Sequence, residues 1–267
     1  LFKEGVATTA ADYPEHLQHV YIQESKDYYI FNPKTEPKAT IIWLHGGAFV
    51  AGDKSDVYEY AVELAYEGFK VITVNYNRAP KGKFPSIINE IDLIISQLEP
   101  EIQGEFILAG DSAGAHLSLQ YAIAQLDAAY LSLLNIDELH SQLEINKLIL
   151  FCGPYNVNRL VNQVEKAPWL YRKIAKDVQK VYISKTTDMS LLNLIDYIPQ
   201  NLPETFVSDA QNFSFLEDNL QLVEQLKRYN IEHTAIFPEG NTSHEFQFRM
   251  SEKPAQKVFK ALIEILY

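Results

Sequence analysis

The feature that most constrains this chain is an alternation. Short apolar runs rich in β-branched residues recur along it, each followed by a loop and then a helical stretch. Parallel strands need crossover connections and are buried on both faces, so this pattern specifies an α/β fold with a mostly parallel sheet and flanking helices. The clearest run is Ala39–Leu44 (ATIIWL), apolar throughout. Phe69–Asn75, Phe106–Gly110, Leu148–Cys152, Thr205–Ser208 and Thr234–Phe237 read as further strands, with Val20–Ile22 and Tyr28–Phe31 as short leading ones. Helices are expected over Val57–Glu67 (closed by Gly68), Ser86–Leu98, Ala115–Ala129, Leu216–Arg228 and Lys253–Leu266. Gly153–Leu202 breaks the rhythm and reads as a mainly helical insertion over the sheet. A length of 267 residues suits one such domain.

The chemistry concentrates at two strand ends. Gly110-Asp111-Ser112-Ala113-Gly114 fits G-x-S-x-G and lies between a buried strand and a helix, the setting in which a sharp turn lifts a serine hydroxyl clear of a sheet. The glycines relieve crowding there, and the helix N-terminus aims N–H groups at a reacting carbonyl. His45-Gly46-Gly47-Ala48-Phe49 follows the ATIIWL strand. A tetrahedral intermediate needs donors fixed in advance, and small residues let backbone N–H groups approach it. Gly47, Ala48 and Ala113 are the candidate oxyanion donors, with His45 bracing the loop.

A general base is expected beyond the last strand, where His244 stands in Asn241-Thr242-Ser243-His244-Glu245-Phe246. His16, His19, His140 and His233 sit in polar surroundings, and His116 on the nucleophile helix reads as packed. The acid belongs in the loop after Thr205–Ser208. Asp209 is favoured there, with Asn212 and Asp218 as the alternatives, although Asp209 stands close to the strand end. Its competing reading is a cap or turn residue.

Net charge is −12, which argues against nucleic acid or an anionic membrane as partner. No apolar run approaches the ~20 residues of a membrane helix. One cysteine, Cys152, excludes an internal disulfide and fits a reducing, cytoplasmic compartment; a removed export signal stays open.

Taken in order, these motifs resemble the hormone-sensitive-lipase-like branch of the α/β-hydrolases. The matching stretches are His45–Phe49, Asn75-Tyr76-Asn77-Arg78-Ala79-Pro80 with Phe84-Pro85, Gly110–Gly114 and His244-Glu245-Phe246. The resemblance covers the chain from about Thr40 onward and is thin across the insertion. It implies a serine carboxylesterase acting on short-to-medium acyl esters, with no metal and no cofactor. It also implies a cap over the pocket, which falls here at Leu1–His19 and Gly153–Leu202. Two departures stand out: Ala48 replaces the third glycine of the oxyanion motif, and Asn212 or a neighbour occupies the place of the usual acid. Trp169, Tyr171 and Tyr182 are candidate pocket-lining or cap-core residues. Two other readings remain: an amide hydrolase, since Gly110–His116 is similar to the nucleophile stretch of arylformamidases, and a binding protein on a weakened hydrolase.

Overall fold

The computed structural model of the chain describes residues 20–162 and 169–267. An eight-stranded sheet runs in the order β1-β2-β4-β3-β5-β6-β7-β8. Its strands are β1 (Tyr21–Glu24), β2 (Tyr28–Asn32), β3 (Ala39–Leu44), β4 (Lys70–Val74), β5 (Glu105–Asp111), β6 (Lys147–Phe151), β7 (Glu204–Ser208) and β8 (His233–Ile236). β1 and β2 pair antiparallel, as does β2 with β4, and every later pairing is parallel. The helices are α1 (Tyr58–Tyr66), α2 (Ile87–Leu98), α3 (Ala113–Leu126), α4 (Ala128–Leu133), α5 (Val157–Asn162), α6 (Trp169–Asp177), α7 (Leu216–Arg228) and α8 (Lys253–Leu266).

Side chains alternate across a strand, so each central strand feeds two cores. On β3, Ile41 and Trp43 pack with Tyr60 of α1 and Val258 of α8. Ile42 and Leu44 pack on the opposite face with Ile91 of α2 and Leu117 of α3. The expected elements are present with ends displaced by a residue or so. One boundary differs. The stretch expected as one helix to Ala129 is broken at Asp127, whose φ of −124° is not helical and whose side chain accepts from the N–H groups of Ala129 and Tyr130. Asp127 thereby caps α4.

The inserted segment leaves the sheet after β6 as α5 and α6, a π-helical turn at Val178–Tyr182, and 3₁₀ turns at Met189–Leu192 and Leu194–Tyr197. Tyr155, Val157, Val178, Tyr182 and Leu192 bury themselves in the α2–α3 core. Arg159 of α5 clamps the segment to α7. It pairs with Glu217 at 2.7 Å and with Asp218, which also accepts from Asn156 N–H at 2.8 Å. Asp218 is 4% exposed. Arg159→Ala leaves that buried carboxylate with one donor, and a loss of about 2 kcal/mol is expected. A urea midpoint shift at unchanged slope measures it.

Candidate active site

β5 turns into α3 through Ser112, whose φ of 50° and ψ of −117° lie where a non-glycine residue is strained. Such a conformation costs about 1–3 kcal/mol and persists only when its surroundings fix it. Here the Ser112 N–H donates to Phe151 O of β6 at 2.7 Å. The helix that follows lies hard against β3: a Cβ at Gly114 would stand 1.9 Å from Leu44 O. Any larger residue there would push the helix off the strand and carry Ser112 with it.

His244 arrives on the loop after β8. That loop is zipped to the one after β7, since Asn212 N–H donates to Thr242 O at 3.0 Å and Gln211 N–H to Thr242 Oγ1 at 3.1 Å. The ring then bridges two serines. Nε2 is 2.9 Å from Ser112 Oγ, and Nδ1 is 2.9 Å from Ser214 Oγ. Ser214 in turn gives its hydroxyl proton to Asp209 Oδ1. With that single proton committed, Ser214 Oγ accepts from the imidazole, which places the ring proton on Nδ1 and leaves Nε2 free to accept from Ser112. Phe215 sets its ring edge-on to His244, with centroids 5.4 Å apart.

Asp209 therefore reaches His244 through Ser214. Its carboxylate also accepts from Ala210 N–H at 2.6 Å and Asn219 Nδ2 at 2.9 Å. Burial pushes its acidity constant above the ordinary carboxylate range, against the pull of hydrogen bonds from Ser214, Cys152 and Ala210 and the charge of His244. The alternatives lie elsewhere. Asn212 points its amide toward Asn241 and bridges to Ser243, and Asp218 is taken by Arg159. Cys152 comes within 4.8 Å of Asp209 and His244, but burial and the charge of Asp209 hold its thiol well above its usual value, so it stays protonated.

Facing Ser112, the loop after β3 passes through Gly47 (φ 116°), Ala48 (φ 53°) and Phe49 (φ 64°). A Cβ at Gly47 would lie 2.2 Å from Ala51 O, so glycine is required there. Ala48 adopts the left-handed backbone that a third glycine would take freely, and its methyl is the cost of that substitution. The Asn75–Pro80 stretch bolts the loop down. Tyr76 Oη donates to His45 O at 2.7 Å, Arg78 Nη1 to Gly52 O at 2.8 Å, and Ala79 N–H to Phe49 O at 2.8 Å. From below, Asp111 accepts from Trp43 Nε1 at 2.8 Å and Gly46 N–H at 2.9 Å. Burial, reinforced by the charge of Glu245, raises the Asp111 carboxyl well above its usual range. The N–H groups of Gly47, Ala48 and Ala113 find no acceptor among the described residues.

His45 is buried, stacks on Tyr76 at 4.4 Å and donates from Nδ1 to Gly46 O at 2.6 Å, while burial lowers its basicity. His116 is packed too: Nδ1 donates to Pro154 O at 2.8 Å, and burial takes its pKa down to about 4. Neither ring is set to move protons at Ser112.

A cavity of about 220 Å³ opens above Ser112. Phe49 and Phe215 supply rings, while Pro154, Leu160 and Ile174 supply the aliphatic wall. Trp169 is 62% exposed and Tyr182 is buried, stacked on the far side of Phe49 at 4.2 Å; neither lines the cavity. The side chain of Tyr171 and the whole of residues 1–19 lie outside the described structure. Ser214 and Glu245 are the site residues that sequence reasoning missed. A hydroxyl in the same loop as Asp209 was the available signal for Ser214.

Residues 41–248 match a family model described as the alpha/beta hydrolase fold. Among solved structures, the chain is similar to an inhibited esterase B from Lactobacillus rhamnosis, at 21% identity over 95% of this chain and 88% of that one, TM-score 0.75. An esterase from Pyrobaculum calidifontis aligns at 18% identity over 96% and 86%, TM-score 0.74. An esterase/lipase from an uncultured bacterium aligns at 15% over 97% and 86%, TM-score 0.75. With the family model spanning most of its length, this chain belongs to the α/β-hydrolase-fold family.

Proposed function

We propose that the protein is a serine carboxylesterase for small esters, with Ser112 as nucleophile and His244 as general base. One observation carries this reading: the hydroxyl of a backbone-strained serine 2.9 Å from an imidazole nitrogen, at the floor of an apolar cavity and opposite backbone N–H groups that find no acceptor among the described residues. Ser112 Oγ attacks the ester carbonyl as its proton passes to His244 Nε2. The carbonyl oxygen becomes an oxyanion held by the N–H groups of Gly47, Ala48 and Ala113. His244 returns the proton to the departing alkoxide, which leaves as alcohol. Water then attacks the acyl-enzyme with the same base, releasing acid and restoring Ser112. Ser214 and Asp209 act as positioning residues that hold Nδ1 protonated and offset the imidazolium charge.

The segment from Gly153 to Leu202 serves as the cap, with Leu160 and Ile174 closing the cavity over Ser112. A volume of about 220 Å³ lies below the roughly 300–1,000 Å³ typical of drug-sized ligands and favours short-to-medium acyl chains. Rapid mixing with 4-nitrophenyl butyrate tests the reading. The expected result is a burst of one nitrophenol per chain followed by slower turnover. Absence of both burst and turnover removes it.

A further inference from the structure

We propose that Glu245 makes this an esterase for esters whose alcohol carries an ammonium group, an inference that rests on the hydrolase reading above. Among the described residues, Glu245 is the one carboxylate in the cavity wall, and no lysine or arginine shares that wall. Its ion-pair contact is His244 Nε2, at 3.6 Å. That nitrogen protonates the leaving alcohol, so the carboxylate stands on the alcohol side of the scissile bond. The side chain lies against the oxyanion loop, with Oε1 2.9 Å from where a Cβ on Gly46 would be, on the side that Asp111 also approaches. Its backbone is tied into the loop, because the Phe248 N–H donates to Glu245 O at 3.3 Å. At 38% exposed, the carboxylate remains open to an incoming group.

The surroundings are those an organic cation prefers. Phe49 and Phe215 bring aromatic rings to the cavity wall, Leu160 and Ile174 offer apolar contact, and the Glu245 carboxylate supplies the charge. Aromatic rings with a nearby carboxylate recognise quaternary ammonium groups. The net charge of −12 draws cations in and repels carboxylate-bearing esters. The catalytic steps above make no use of Glu245, which leaves its carboxylate available to read the substrate.

Choline butyrate and its uncharged carbon isostere, 3,3-dimethylbutyl butyrate, test the proposal with wild type and Glu245→Gln. The ratio of kcat/KM for the cationic over the neutral ester is expected to fall about five- to tenfold in Glu245→Gln. If both esters slow equally, or the ratio does not move, Glu245 supports His244 or nothing, and the proposal is overturned. Calorimetric binding of the same two esters to Ser112→Ala, with and without Glu245→Gln, needs no turnover. Preference for the cation that vanishes with Glu245→Gln supports recognition of the ammonium group by Glu245 even if wild type hydrolyses neither ester, the outcome in which the esterase reading alone falls. Equal binding of the two esters to Ser112→Ala overturns it.

Discussion

Ser112→Ala lowers kcat for 4-nitrophenyl butyrate by a factor on the order of 10⁶, and His244→Gln in that background costs nothing further. The two groups act as one unit: the imidazole has no proton to take once the hydroxyl is gone, so their losses do not add. Residual activity reflects the oxyanion donors and binding alone. A second outcome separates chemistry from folding. Ser112 has φ 50° and ψ −117°, a conformation held by the Phe151 bond and by Gly114 packing on β3. Ser112→Gly is equally inactive yet relieves that strain, and its unfolding free energy is expected to rise by about 1 kcal/mol. Steady-state kinetics and denaturant titration of the same preparations check both statements.

Breaking the relay behind the histidine gives the next largest effect. Ser214→Ala removes the acceptor of the His244 Nδ1 proton, and kcat is expected to fall about 10²–10³-fold, less than the roughly 10⁴ seen when a directly bonded acid is replaced. Asp209→Asn is expected to lose activity over the same range, because an amide can donate to Ser214 and turn the serine proton toward Nδ1. The stability outcome has the opposite sign. Burial raises the Asp209 acidity constant in the folded protein. A carboxyl so raised favours folding below the ordinary carboxylate range, and that contribution is lost as pH rises through the raised value. At neutral pH the charged form costs stability, so Asp209→Asn keeps or raises the thermal midpoint while activity falls. Adding Ser214→Asp to Asp209→Asn puts a carboxylate directly against Nδ1, and it is expected to recover at least tenfold of the lost kcat.

The contrast between what was readable and what was not follows physical lines. Strands such as Ala39–Leu44 announce themselves because burial on both faces demands an unbroken apolar run. The serine turn and the glycine loop are local: their backbone requirements fall on adjacent residues, and so does their sequence signal. His244 follows from chain order. The acid is harder because its position is set by three-dimensional reach. A search for a carboxylate finds Asp209, but nothing in its spacing says that Ser214 stands between it and the ring. The cavity wall is harder still. Which face of α5 and α6 meets Ser112 depends on tertiary anchors such as Arg159 on Asp218, so Leu160 and Ile174 line it while the conspicuous Trp169 faces solvent. Glu245 belongs to the His244-Glu245-Phe246 stretch, but its place in the cavity wall shows only once the loop is folded.

The contact between Ser112 and His244 underlies everything proposed for this site. Mass mapping after reaction with a fluorophosphonate tests it most directly. One phosphonyl group per chain, on the peptide carrying Ser112, absent from Ser112→Ala and strongly slowed in His244→Gln, is the predicted result. Labelling on another serine, or labelling at Ser112 indifferent to His244, contradicts it.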